Sequence, residues 1–191
     1  MTNTWALPDS VEIQGKQYAI RSDYRAIIDI LIALDDEELS ETDKAQVVLR
    51  IFYRNYEDIP VENAQEAVEI ALQFIDFMDI GEEKNPVKLM DWEKDAGIII
   101  PAVNKVAGKE IRAMEYMHWW TFMGLYMEIG ESLFSQVLSI RQKKLKHKKM
   151  EKWEKEFYRK NKTLIDLNVK KEERAPEEKD ALNKLFGKEK R

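Results

Sequence analysis

Cysteine is absent from this 191-residue chain, and histidine occurs only twice, at His118 and His147. Without thiols there is no disulfide, thiolate metal site or cysteine nucleophile, and with only two imidazoles a protein-only zinc site is not expected. Glycine and proline are scarce, with 7 and 5 residues, which argues against collagen-like and many-turned β architectures. No segment reaches the ~18 consecutive apolar residues that span a bilayer, so no membrane association is expected. The start, MTNTWALPDS, has no basic stretch leading into an apolar one. No export signal is therefore expected, and the expected place of action is a cytoplasm.

What is present is a charged, apolar-rich chain, with 44% hydrophobic and 35% charged residues. That is enough apolar content for a packed core in a mainly α protein, at a length that suits one domain plus a tail. The net charge of −5 conceals an asymmetry. Residues 1–134 hold 12 Lys/Arg against 26 Asp/Glu, a net of −14, whereas 135–191 hold 19 against 10, a net of +9. An acidic body and a basic C-terminal part could guide head-to-tail self-association, so a homo-oligomer is expected.

Val11–Ile13 and Gln17–Ile20 alternate around Gly15 and predict a small β-hairpin, which must lean on helices to be stable. Ser22 is the expected N-cap of a first helix carrying Tyr24, Ile27, Ile28, Leu31 and Leu34 to the acidic turn Asp35–Glu38. Ser40 and Asp43 predict the cap of a second helix bearing Ala45, Val48, Leu49 and Phe52, followed by a loop over Tyr53–Pro60. A third helix is expected over Glu62–Met78, broken at Gly81–Pro86. The fourth is expected over Asp91–Ala107, kinked near Ile98–Pro101 and closed by Gly108.

The segment Ala113–Glu128 predicts a fifth helix with almost no polar face, and Ser132–Arg141 a sixth. Arg141–Lys162 holds 11 Lys/Arg and 3 Glu, with Met150, Trp153, Phe157 and Leu164 as a narrow apolar seam. The expected architecture is thus mainly α: a compact core of about six helices with an N-terminal hairpin over 1–140, a basic amphipathic helix over 141–167, and a charged, disordered tail over 168–191.

Several residues invite chemistry. His118 sits beside Trp119 and Trp120, where burial could shift its titration, yet nothing nearby supplies a nucleophile or a second imidazole, so a structural histidine is favoured. Asp91, Glu93 and Asp95 suggest a cation cluster, but residues two apart on a helix face different ways, and an acidic first turn explains them better. The basic arm, with Arg141, Lys143, Lys144, Lys148 and Lys149, could neutralise phosphates while Trp153, Phe157 and Tyr158 stack on bases. A seam packed on protein leaves only its charged face for a ligand, so a solvated helix or protein-binding arm ranks ahead of nucleic acid. Four of the eight methionines lie within 114–127 among five aromatics. That makes either the central core helix, which ranks first, or an adaptable apolar groove. No catalytic constellation, cofactor or metal site is expected.

Three stretches carry a resemblance. LPDSVEIQGKQYAIRSDYRAII (Leu7–Ile28), DWEKDAGIIIPAV (Asp91–Val103) and MHWWTFMGLYMEI followed by SLFSQVLSIR (Met117–Arg141) are similar to the "gene product fifteen" family of tailed bacteriophages and prophages. The resemblance covers about residues 7–160. It implies a position like that of tail assembly chaperones, which bind the long, aggregation-prone tape measure protein, help recruit the major tail protein, and are absent from the finished virion. By resemblance, Trp119, Trp120, Phe122 and Met123 belong to the HWW segment, and Phe134, Ser135, Gln136, Val137 and Arg141 to the FSQV…R segment. The expected partner-binding residues are Trp119, Trp120, Met123, Met127 and Phe134, and the expected setting is the cytoplasm of a bacterial host. Other expectations from different classes are a nucleic-acid-binding protein using 141–162 and a structural tail or connector subunit.

Overall fold

The computed structural model describes residues 6–76 and 88–167. It begins with an antiparallel hairpin, β1 (Ser10–Ile13) and β2 (Lys16–Ala19), in register Val11 opposite Tyr18 and Ile13 opposite Lys16. Gln14 and Gly15 form its two-residue turn with φ of 48° and 77°. Such turns need positive φ at both central positions, and glycine supplies the second without strain. The hairpin leans on helices, as expected: Ile13 and Tyr18 are buried, and the Tyr18 ring meets Tyr53 edge-on at 6.4 Å.

Helix α1 (Tyr24–Asp35) carries the expected apolar stripe, but its cap is Asp23 rather than Ser22. The Asp23 carboxylate accepts from the N–H of Arg25 (3.0 Å) and of Met117 (3.1 Å). Ser22, by contrast, is buried with its hydroxyl on the Tyr116 phenol at 2.8 Å. A contact 94 residues away in sequence thus decides the cap. Helix α2 (Glu41–Phe52) is capped by Ser40, whose oxygen accepts from Asp43 N–H while its hydroxyl donates to the Asp43 carboxylate. The expected loop contains a 3-10 turn at Tyr56–Asp58, and Tyr53 is wholly buried in it, donating its phenol to the Ala67 carbonyl at 2.8 Å.

Helix α3 (Ala64–Ile75) starts after a 3-10 turn at Val61–Asn63 and buries Ala67, Ala71, Phe74 and Ile75. The expected continuation to Phe77 and Met78 and the break at 81–86 lie outside the described residues. Helix α4 (Ala96–Ala107) begins five residues later than expected. The Asp91 carboxylate takes the N–H groups of Glu93 and Lys94, closing a turn that competes with helix. Pro101 stands inside α4, and Gly108 ends it in the left-handed conformation, φ 67°, as expected.

The fifth helix differs most. Instead of spanning Ala113–Glu128, α5 covers Trp119–Met127, preceded by a 3-10 turn at Ile111–Ala113. Residues 115–118 are drawn out against the start of α1: Tyr24 N–H donates to Met117 O at 2.9 Å and Trp119 N–H to Ser22 O at 2.7 Å. These long-range bonds override the helical period of the side chains.

Helix α6 (Leu133–Leu145) starts from a reciprocal box between Ser132 and Ser135 and runs through the expected boundary at Arg141. One basic helix over 141–162 is not what forms. The chain turns at Lys146–His147, where His147 adopts φ 49°, then makes α7 (Lys152–Lys160) and α8 (Lys162–Ile165). Phe157 and Leu164 of the expected seam pack on the core and the neighbouring Ile165 is buried, but Trp153 is 54% exposed. Glu154 occupies the inward position on α7, held by Lys143 at 2.6 Å. The expected tail over 168–191 lies outside the described residues.

The helices pack in the order α3–α2–α1–α5–α4–α6–α8–α7. The protein is mainly α with a short hairpin, and among the described residues no helix is long and apolar enough to cross a membrane.

Candidate functional site

Helix α5 lies at the middle of this packing order, and its two sides differ. Its inner side carries Trp119, Phe122 and Tyr126, at positions i, i+3 and i+7. Trp119 is 2% exposed, stacks on Phe122 (centroids 5.7 Å apart) and donates its indole N–H to Ile75 O at 2.9 Å. Phe122 in turn stacks on Tyr24 at 4.7 Å, while Tyr126 meets Trp92 and the buried Phe134. Burial pushes the Tyr126 phenol up to about 12. These rings form one aromatic layer that joins α1, the turn before α4, α5 and α6, each ring pair adding ~0.5–1.5 kcal/mol beyond the buried area.

The other side carries Trp120, Met123 and Met127, again at i, i+3 and i+7. Trp120 stacks on Phe74 at 5.2 Å and donates to the Phe74 carbonyl at 3.0 Å. Met123 is half-buried and Met127 is 39% exposed. Leu133, which follows the α5–α6 turn, is 45% exposed. The structure therefore divides the five residues expected to bind a partner. Trp119 and Phe134 are core, whereas Trp120, Met123 and Met127 share a stripe that opens progressively to solvent.

The basic arm is divided more sharply. Arg141 is 4% exposed and makes two parallel bonds to the 1% exposed Asp95, at 2.6 and 2.8 Å. Its remaining donors reach the carbonyls of Leu89, Leu164 and Ile165 at 2.9, 2.8 and 2.7 Å. The whole guanidinium fork is thus occupied inside the fold. Lys143 holds the Glu154 carboxyl below its usual range, and Lys144 binds Asp166 and the Tyr158 phenol, with the Asp166 bond raising the ammonium's affinity for its proton. Among the described residues, only Lys148 and Lys149 of the five expected arm residues are exposed and without an ion pair. A phosphate surface centred on Arg141, Lys143 and Lys144 is not available.

His118 is structural, as expected. Its Nδ1 accepts from Trp120 N–H at 3.1 Å and so caps α5, while Nε2 donates to the Pro8 carbonyl at 3.1 Å. Burial pushes the imidazole below its ordinary value, which keeps the capping nitrogen unprotonated. Of the acidic trio, Asp91 caps the turn before α4, Glu93 is exposed, and Asp95 is the partner of Arg141. Among the described residues, no group of three or more His, Asp or Glu is arranged to hold a metal, and no buried side-chain nitrogen or oxygen lacks a partner. The Asp95–Arg141 pair had no local signal in the sequence, because its members stand 46 positions apart with no repeating pattern between them.

A family model described as Bacteriophage Gp15 protein matches residues 4–167. No curated protein and no solved structure matches the chain.

Proposed function

The chain belongs to the Bacteriophage Gp15 protein family, and on that premise we propose that it is a tail assembly chaperone of a phage or prophage. It holds apolar segments of the tape measure protein in solution and helps bring major tail subunits to them. The observation that carries this reading is the Trp120–Met123–Met127 stripe, anchored by stacking at one end and 39% exposed at the other. Methionine is flexible and polarizable, so such a stripe adapts to the i, i+3, i+4 and i+7 side chains of a helical client. The acidic surface of the body keeps the complex soluble.

In this role the protein is not an enzyme, acts in the cytoplasm of the bacterial host, and leaves before the virion is complete. A nucleic-acid role for 141–162 is less favoured, because three of its five nominated cations are bound within the fold.

Co-expression with the tape measure protein tests the proposal. The tape measure protein is expected to move to the soluble fraction and to co-purify with this chain. No gain in solubility and no complex would overturn it. Mass spectrometry of purified particles separates the chaperone from a structural tail or connector subunit, which would be found in them.

A further inference from the structure

The C-terminal segment and α3 carry opposite charges on outward faces of matching period. On α7, Lys152, Lys155 and Arg159 recur at steps of three and four, all exposed and, among the described residues, none in an ion pair. Residues one turn apart on a helix lie on one face, so these cations form a stripe along the outside of the molecule. The inward side of the same helix is taken by Glu154 and Phe157. Trp153, at the beginning of the stripe, is 54% exposed.

The exposed side of α3 is the counterpart. Between Asn55 and Asp76 there is no lysine or arginine, while Glu57, Asp58, Glu62, Glu66, Glu69 and Asp76 are all acidic. Glu62, in the 3-10 turn before α3, and Glu69, on α3, are exposed seven residues apart, the spacing of Lys152 to Arg159. Val61, at the beginning of this stripe, is 89% exposed. Each stripe thus starts beside an uncovered apolar side chain.

We propose that copies of this chain associate head to tail, with the basic stripe of α7 lying against the acidic face of α3 in the next copy and Trp153 packing near its Val61. Helices α3 and α7 are the two ends of the packing order, so the contact joins two different surfaces of the protein. Each copy keeps one free surface of each kind. Head-to-tail pairing of that type is heterologous and builds rings or open chains. A nucleic acid is the less fitting partner for the stripe, because the net charge of the whole chain is −5 and its body repels a polyanion. The association does not depend on binding of a tape measure protein.

Sedimentation velocity on the full chain tests this. At about 50 mM salt the mean mass is expected to rise with protein concentration, and near 500 mM to fall towards the monomer, because exposed charges are screened. The triple variant K152E/K155E/R159E and the double variant E62K/E69K should each weaken association roughly tenfold or more. Mixing the two variants should restore it, since each then meets a face of opposite sign, and that rescue also shows that both are folded. Wild type that stays monomeric at low salt, association undiminished by either reversal, or no rescue on mixing would overturn the proposal. So would salt-sensitive binding of a single-stranded oligonucleotide by the lysine stripe in the absence of self-association.

Discussion

Asp95 at the entrance to α4 and Arg141 in α6 face each other as a buried bidentate pair, with oxygen–nitrogen distances of 2.6 and 2.8 Å. The same guanidinium reaches Leu164 and Ile165, so one side chain fastens α8 to the body. Truncating it leaves a carboxylate and carbonyls without donors in a dry site. R141A is expected to lose ~3–5 kcal/mol of stability, and R141K to recover little of it, because an ammonium cannot reproduce the fork. Urea denaturation checks both, and an R141A loss below about 1 kcal/mol would show that the pair is not the fastener described.

Asp23 rather than Ser22 caps α1, and it also receives the N–H of Met117. D23A should cost ~2 kcal/mol, towards the upper end for a cap, since it frees two backbone donors. Thermal unfolding of D23A beside D23N, which keeps a capping oxygen, separates the cap from the charge.

The buried His118 gives stability a defined slope with pH. Its folded value is depressed below the ordinary 6.5, so the unfolded chain binds more protons in that range. The contribution is complete above pH 6.5 and is lost as pH falls through the folded value. Substituting H118N keeps an acceptor for Trp120 N–H and should flatten the dependence below pH 6.5. Equal slopes in the two proteins, measured by denaturant midpoints, would remove His118 as the cause.

The two sides of α5 should respond differently to mutation. W119A removes a filled core position and is expected to destabilise by ~3–5 kcal/mol. M127E, at an exposed position, should stay within about 0.5 kcal/mol of wild type. If the stripe holds a tape measure segment, M123E/M127E lowers the co-purified tape measure protein while circular dichroism remains that of a folded helical protein. Unchanged capture by that variant would move the client site elsewhere.

How much was legible in advance differs between elements for a physical reason. The hairpin turn at Gly15, the cap at Ser40 and the stop at Gly108 are all written within four residues of where they act, and each formed as expected. The start of α5 lies later than the apolar spacing predicts, because that spacing continues back to Met114 while the backbone there is held by Tyr24 and Asp23. The basic tract follows the same rule. Its lysines look equivalent along the chain, but Lys143 and Lys144 find carboxylates 11 and 22 residues on, and Arg141 finds one 46 residues back.

The sequence by itself determined a mainly helical chain with an N-terminal hairpin, an acidic body, a basic C-terminal part and no thiol chemistry, because composition, period and capping act locally. The resemblance to a phage family was legible there too, and the family match over residues 4–167 bears it out. Only the tertiary structure decided which of Trp119 and Trp120 faces the core, which cations are spent on internal carboxylates, and which lysines remain on the surface. Those outcomes depend on partners tens of residues away, whose identity is set by packing and not by neighbours along the chain.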